Sequence, residues 1–456
     1  MMFGKTRHIH FVGIGGSGMS GIAEVLINLG YEVTGSDVCE SATTKHLRNV
    51  GATVMIGHDE QNITGAQVLV ASTAVSAFNP EVRAAKWNRI PVIPRAEMLA
   101  ELMRLKQGVA IAGAHGKTST TSMLAAILSD SHLDPTIVIG GKVNAFGGGS
   151  RSGQGSLLIA EADESDGTFL KLSPSIVVVT NIDREHLDYY KTLDKILESF
   201  ECFIEKVPFY GLVVLCADDP LLRSLIPSLH KRCMTYGVHE HADFVASEIE
   251  LGPWKSTFTV HSEQRLIGRF TIPIPGRHHV ANALAAIVVS LELNIPLQKI
   301  SDGLAEFRGV ERRLQCVGEK AGVLVLDDYA HHPTEIQFTV AAVKEGWGRR
   351  VIVLFQPHRF SRTQDLMDDF AGSFDGVDAL FVTEIYSAGE DPIDGVNGTQ
   401  LAERIKKESF FPVAFVAEPQ AMAEQVVSVL REGDIVLTMG AGDIWKVGQA
   451  IMERLS

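Results

Sequence analysis

Residues 109–112 form a short apolar run. It ends in Gly113-Ala114-His115-Gly116-Lys117-Thr118-Ser119-Thr120-Thr121 and gives way to a helical pattern over 122–128. Strand, glycine turn and helix in that order commit this part of the chain to an α/β sheet, because the turn works only where a strand delivers it and a helix leaves it. The pattern is a shortened phosphate loop, G-x-x-G-K-T, since the glycine of the longer form is replaced by Ile111. The mechanics survive the shortening. Backbone N–H groups from Gly113 through His115, Gly116 and Ser119 surround a phosphate, Lys117 reaches the β/γ oxygens, and the Thr118 hydroxyl suits Mg²⁺. The loop therefore reads as an ATP site; a chance Gly-Lys-Thr in a turn leaves the flanking strand and helix unexplained.

A second glycine turn, Gly13-Ile14-Gly15-Gly16-Ser17-Gly18, follows the run 9–12 and precedes a helical stretch over 19–29, with Asp37 nineteen residues beyond Gly18. Such a turn lets backbone N–H groups approach a pyrophosphate at the positive end of a helix. The loop alone leaves three readings open: a nicotinamide or flavin dinucleotide, a nucleotide-sugar pyrophosphate, or a bare tight turn. Ser72 and Thr73, just past the run 68–71, are candidates for the same pocket.

Two acidic segments also end strand-like runs. Glu161-Ala-Asp163-Glu164-Ser-Asp166 sets four carboxylates in six residues, and Asn181-Ile-Asp183-Arg-Glu185-His186-Leu-Asp188 closes the next run. Oxygen-rich clusters at the carboxyl edge of a sheet suit Mg²⁺ shared with substrate phosphates. Further along come Pro275-Gly-Arg-His278-His-Val-Ala-Asn282 before an alanine-rich helix, Asp327-Asp328-Tyr-Ala-His331, Pro357-His-Arg359-Phe-Ser-Arg362, and a third glycine turn, 440–443. Arginines three apart on one loop fit a carboxylate or phosphate.

At roughly 100 to 200 residues per domain, 456 residues suggest about three domains. Alternation over 243–274 predicts an antiparallel β insertion, and the charged stretch 307–314 predicts a hinge. With 41 Lys and Arg against 55 Asp and Glu, the net charge of 41 − 55 = −14 speaks against wrapping nucleic acid or coating an anionic membrane. Five scattered cysteines without a C-x-x-C pair fit a reducing compartment, and no run reaches about 18 apolar residues. The expectation is a cytoplasmic protein, monomer or weak homodimer, with no nucleic acid or membrane partner.

Taken in order, GIGGSGMSG, GAHGKTSTT, EADESDG, NIDREHLD, PGRHHVAN, DDYAHHPTE, FQPHRFSR and GAGDI resemble the Mur ligases over nearly the whole chain, from Ile9 to about Lys446. The resemblance implies an α/β protein of three domains. A Rossmann-like amino domain (1–106) holds the UDP-sugar, a central P-loop ATPase domain with a β insertion (107–313) holds ATP, and a carboxyl Rossmann-like domain (314–456) helps place the amino acid. It implies ATP-dependent joining of L-alanine to the lactyl carboxylate of UDP-N-acetylmuramate, with a tripeptide-recycling ligase as the alternative within the family. By motif, Thr118, Glu161 and His186 match metal ligands, and His278, Asn282 and Asp328 match the adenosine site. His331, Arg359 and Arg362 match the amino-acid or product carboxylate, with Lys117, His186 and His331 as catalytic candidates. The turn Gly13, Gly15, Gly16, Ser17, Gly18 with Asp37 becomes a UDP cradle. Many relatives carry a carbamoylated lysine where this chain has Ser199-Phe200-Glu201.

Overall fold

The computed structural model describes residues 4–72, 74–143 and 148–455. The backbone divides into two compact units, one of residues 1–245, 260–268 and 281–308, the other of 246–259, 269–280 and 309–456.

The first unit opens on β1 (His8–Val12), β2 (Glu32–Asp37), β3 (Thr53–Ile56), β4 (Val68–Ala71) and β5 (Val92–Pro94), a parallel sheet in the order β3-β2-β1-β4-β5. β1 is buried at every residue, as a strand covered on both faces must be. The order reverses between β1 and β4, so the loops leaving their carboxyl ends part and open the crevice where parallel sheets bind ligands. The helix Ser17–Asn28 starts two residues before the predicted Met19, because Gly16 is still extended (φ −62°, ψ 144°) and ends the turn there.

A buried polar cluster interrupts the apolar core of this sheet. Glu81, on the helix Pro80–Trp87, is fully buried. Its Oε2 accepts from Ser36 Oγ (2.5 Å) and lies 3.6 Å from His10 Nε2 and 3.5 Å from His58 Nδ1, while Oε1 accepts from Asn62 Nδ2 at 2.6 Å. Burial opposes its charge, yet the bonds from His10, Ser36 and Asn62 outweigh it and hold the carboxyl down at about 2. The carbonyl of Ser36 accepts from the N–H groups of Gly13 and Ile14 at 2.8 and 3.0 Å, so the buried carboxylate also braces the glycine turn.

The central sheet contains β6 (Gln107–Ala112), β7 (Thr136–Val143), β8 (Gly148–Arg151), β9 (Leu157–Glu161), β10 (Ile176–Val179), β11 (Leu212–Cys216), β12 (Cys233–Gly237), β13 (Phe244–Gly252), β14 (Lys255–Ser262) and β15 (Arg265–Ile272). Their order is β15-β14-β13-β12-β11-β10-β6-β9-β7-β8. β6 lies parallel between β10 and β9, which puts the phosphate loop between the two acidic segments. The predicted antiparallel insertion is the β14–β15 hairpin. Glu263 and Gln264 alone join the two strands, too few for a parallel crossover. Both are left-handed (φ 47° and 65°). Thr257 meets Thr271 (Oγ1 to Oγ1 3.1 Å) and Phe258 stacks on Phe270 (centroids 6.1 Å), so contacts run in opposite directions along the two strands. β13 itself enters the sheet parallel to β12.

The second unit is built on β16 (Gln315–Lys320), β17 (Val323–Asp328), β18 (Val351–Phe355), β19 (Ala379–Val382), β20 (Val413–Phe415) and β21 (Ile435–Met439), in the order β16-β17-β21-β18-β19-β20. Only β16 runs antiparallel to its neighbour. β17, β18 and β21 are buried throughout, and the helix Trp445–Arg454 packs Val447 and Ile451 into the core under Val325, Ile352 and Val436. In the stretch predicted as a hinge, Gly309, Arg312 and Leu314 all take left-handed conformations (φ 75°, 59° and 45°). No helix among the described residues is long and apolar enough to cross a membrane.

Candidate active site

The phosphate loop is held in shape by the strand beside it. Asn181 clamps the two peptides that flank one residue: its Oδ1 accepts from His115 N (2.8 Å) and its Nδ2 donates to His115 O (2.9 Å), which also accepts from Thr180 Oγ1 at 2.5 Å. The His115 ring is buried with Nε2 2.8 Å from Asp183 Oδ2. Gly116 is left-handed (φ 83°) and caps the helix Lys117–Leu128, leaving the first N–H groups of that helix at the loop, with Thr118 and the buried Ser119 in its first turn. A Cβ on Gly116 would lie 2.5 Å from Asn282 Oδ1. A Gly116→Ala substitution combines that clash with a strained φ, so we expect the KM for ATP to rise about tenfold or more. Steady-state kinetics with ATP varied checks this, and an unchanged KM refutes it.

Lys117 folds back onto its own loop. Its Nζ donates to Gly113 O (2.5 Å), Ala114 O (3.1 Å) and Glu164 Oε1 (2.8 Å). Burial works against the ammonium, but Glu164 beside it more than compensates and holds Lys117 above its ordinary range. Burial pushes Glu164 up to about 7 in spite of Lys117, and Asp163 and Glu185 push the same way.

The four carboxylates of the first acidic segment have separate jobs. Glu161 ends β9 in register with Ile111. Asp163 pairs with Arg95 (3.0 Å). Glu164 meets Lys117, and Asp166 accepts from the N–H and hydroxyl of Thr168. Glu164, Glu185 and His186 bring one ligand atom each within 4.8 Å of one another. Glu164 Oε2 is buried without a hydrogen-bond partner among the described residues, and negative charge is crowded there. Oxygen-rich donor sets are what Mg²⁺ takes. His186 is left-handed (φ 56°), a conformation that costs energy for a non-glycine residue and turns the ring out of the strand line toward Glu164 Oε1 at 3.7 Å. Motif reading had placed Glu161, His186 and Thr118 in the metal set. The structure gathers His186 with Glu164 and Glu185, and sets Glu161 and Thr118 at the mouths of the adjoining strand and helix.

At the first sheet's crevice Gly13 is left-handed (φ 78°) and packs against Ser72, whose Cβ lies 3.3 Å from the place of a Gly13 Cβ. Asp37 accepts from Gly15 N at 2.8 Å and from Val38 N at 2.8 Å, so this acid holds the turn. Gly16 ends the turn, and Gly18 lies against Arg95. Thr73 and the side chain of Ser17 fall outside the described residues.

In the second unit, three loops leave the carboxyl ends of neighbouring strands β17, β21 and β18. Asp328 is buried, with Oδ2 accepting from Leu314 N (2.7 Å) and Oδ1 from Ala330 N (2.8 Å), and burial raises it to about 6. It thereby fixes the loop that carries His331, whose Nδ1 lies 2.9 Å from Tyr329 O and 3.3 Å from Glu335 Oε2. The rings of His331 and His358 are 5.8 Å apart. Arg362 Nη1 approaches His358 Nδ1 and O at 3.2 Å, and Arg359, left-handed at φ 70°, is 3.6 Å from Glu390. Burial, then the charges of His331, Arg362 and Arg359, drive His358 down to about 3, the mark of a place rich in positive charge. His278 is neutral too: burial and Arg313 lower it to about 4, and its ring stacks on Phe338 at 5.6 Å and 13°. Gln356, inside the motif FQPHRFSR but not singled out by it, accepts on Oε1 from Asp443 N (2.8 Å) and Ile444 N (3.2 Å) and so fastens the third glycine turn. Glu185 stood inside a quoted motif but was not singled out.

Comparison with known proteins matches residues 8–107 to the "Mur ligase family, catalytic domain", 111–290 to the "Mur ligase middle domain" and 312–442 to the "Mur ligase, glutamate ligase domain". The chain belongs to the Mur ligase family. Among curated members of that family, it is 52% identical over 456 residues to the UDP-N-acetylmuramate--L-alanine ligase of Trichlorobacter lovleyi, covering 100% of both chains. It is 52% identical over 454 residues to the enzyme of the same name from Geotalea uraniireducens, covering 100% of this chain and 99% of that one. Its fold is similar to the crystal structure of the Thermotoga maritima UDP-N-acetylmuramate-alanine ligase (TM-score 0.81, 29% identity, 98% of each chain). The murein peptide ligase of Psychrobacter arcticus shares the fold alone, at TM-score 0.69 and 22% identity over 98% of each chain. The three-domain α/β Mur ligase architecture accounts for the three sheets.

Proposed function

We propose that this chain is an ATP-dependent ligase that joins L-alanine to the lactyl carboxylate of UDP-N-acetylmuramate for peptidoglycan precursor synthesis. We further place its domain boundaries after residues 106 and 313. The observation that carries the reading is the preformed phosphate loop after β6, with half-buried Lys117 bonded to Glu164 of a carboxylate–histidine cluster, in a chain whose full-length relatives carry that ligase name. In the reaction, a carboxylate oxygen of the sugar attacks the γ-phosphorus and ADP leaves, giving an acyl phosphate. The alanine amine attacks the acyl carbon, and the tetrahedral intermediate expels inorganic phosphate.

Phosphoryl transfer asks mainly for positioning and charge compensation. Lys117 supplies a fixed positive charge to the β/γ oxygens, exchanging its loop carbonyls for phosphate, and Asn181 keeps the peptides flanking His115 still while it does so. Glu164, Glu185 and His186, together with Glu161 and Thr118, would hold Mg²⁺, which when bound neutralises phosphate charge. Asn282 beside Gly116, with His278 and Asp328, belongs to the adenosine side. The glycine turn with Asp37, Ser72 and Thr73 cradles the UDP pyrophosphate. Arg359 and Arg362, with His331 on the adjoining loop, meet the carboxylate of the incoming amino acid or product.

Incubating the protein with ATP, Mg²⁺, UDP-N-acetylmuramate and L-alanine should release ADP only when all are present and give a product whose mass is the sugar plus alanine less water. Oxygen-18 placed in the lactyl carboxylate should reach the released phosphate. Faster turnover with a tripeptide than with L-alanine would reassign the chain to the recycling ligases.

A further inference from the structure

We propose that Glu390 is a positioning residue for the amino-acid carboxylate, acting by presenting the Arg359 guanidinium; this rests on the role given to Arg359 in the function proposed above. Glu390 lies in the loop that follows β19, outside every motif read from the sequence. That loop is fastened to the arginine loop after β18 along its length. Tyr386 N donates to Pro357 O at 2.8 Å, and Arg359 N donates to Tyr386 O at 2.8 Å. The Tyr386 ring stacks on His358, with centroids 5.5 Å apart and planes 8° from parallel. Glu390 completes the clamp. Its Oε2 accepts from Ser361 N at 3.1 Å, its Oε1 accepts from Ser361 Oγ at 2.7 Å, and Oε1 lies 3.6 Å from Arg359 Nη1.

The loop bends sharply to reach this geometry. Ala388 and Gly389 are left-handed (φ 51° and 87°), and Glu390 N closes the turn by donating to Ser387 O at 3.0 Å. Opposite, Arg359 is itself left-handed and leads into the short helix Phe360–Asp365. A long side chain leaving such a residue can point many ways, and an ion pair to a carboxylate anchored on Ser361 removes most of them. The two arginines of this loop are thus oriented separately, Arg362 by His358 and Arg359 by Glu390. The Arg359 side chain is 42% exposed, so an anion can reach the guanidinium. Glu390 also sets a negative charge near the anion it helps to receive. Repulsion alone would make its removal tighten binding, whereas loss of a preordered guanidinium makes removal weaken it. Charge effects between solvated groups are screened, so the ordering effect wins.

The test is a double-mutant cycle on Glu390→Gln and Arg359→Ala. It is read by calorimetric affinity for UDP-N-acetylmuramoyl-L-alanine, which carries the alanine carboxylate, and for UDP-N-acetylmuramate, which lacks it. Kinetics with L-alanine and ATP varied, and thermal melts, accompany the titrations. Glutamine is uncharged and has one acceptor oxygen, so it cannot accept from Ser361 N and also turn an oxygen toward Arg359 Nη1. Glu390→Gln should bind the product about fivefold more weakly and raise the KM for L-alanine to a similar extent. Its kcat should stay within about threefold, its KM for ATP and its affinity for UDP-N-acetylmuramate within about twofold, and its melt unchanged. In the Arg359→Ala background the same substitution should change product affinity by less than about 1.5-fold, because no guanidinium is left to position. Product affinity that is unchanged or tighter in Glu390→Gln, or an undiminished loss in the Arg359→Ala background, overturns the inference. Should Glu390→Gln fail to fold, Glu390→Asp, too short to hold Ser361 and meet Arg359 together, decides by the same two comparisons. Arg359→Ala binding the product within about twofold of wild type would instead refute the assignment of Arg359 itself and take the inference with it.

Discussion

Replacing Lys117 with alanine should cut turnover by about 10³-fold or more while UDP-sugar binding stays within twofold. Removing a single donor aimed at developing charge in a water-poor site costs about 10²–10³ in rate, and Lys117 contributes a full charge. The lysine is rigidly placed, with three hydrogen bonds onto Gly113, Ala114 and Glu164. The variant also leaves Glu164 buried with no ammonium beside it, and burial then drives its carboxyl further up from about 7. Single-turnover measurement of ADP formation separates this from slow product release. A turnover within tenfold of wild type would remove Lys117 from the chemical step.

The second large effect is on stability in acid. Glu81 sits at about 2 in the folded chain against an ordinary 4.5. Its ionised form is favoured by folding, so the stabilisation is complete above about pH 5 and drains away as pH falls toward 2. At 1.36 kcal/mol per unit, the shift corresponds to about 3 kcal/mol, of which about 2 is lost between pH 5 and pH 3. Glu81→Gln keeps the shape but cannot ionise, and its single amide oxygen accepts from Ser36 or from Asn62 but not from both. Urea unfolding at pH 7, 5 and 3 should show the wild type losing about 2 kcal/mol more than the variant over the lower interval. Parallel pH profiles would show that the carboxylate is not the source. The Ser36 carbonyl carries the N–H groups of Gly13 and Ile14, so the loss should also loosen the glycine turn.

The frame of this protein was legible because parallel strands advertise themselves. Val351–Phe355 is apolar at every position and Ile435–Met439 at all but Thr438, and both became strands buried on both faces. The phosphate loop was legible for a related reason: its residues are local, and Gly113, Gly116 and Lys117 need only their own turn to acquire a role. What stayed hidden depends on pairings distant along the chain. Asp163 and Glu164 are adjacent, yet one turns to Arg95, 68 residues away, and the other to Lys117, 47 residues away. No periodicity encodes that choice. Asp37 resembled a ligand-binding acid and also serves its own loop, because a carboxylate at the end of β2 finds Gly15 N within reach. Glu81 was invisible for a simpler reason: a glutamate after Pro80 reads as a helix-start residue, and only the packed sheet shows it surrounded by His10, Ser36, His58 and Asn62.

The turn between β14 and β15 has a consequence for how the chain reaches this state. Glu263 and Gln264 each pay for a left-handed backbone that Asn-Gly would adopt at little cost, so this connection is a poor nucleus for its own hairpin. Strand pairing there must be driven from its far end, where Phe258 meets Phe270. The closed ribbon therefore rests on what its two strands touch, and the connection between them adds little.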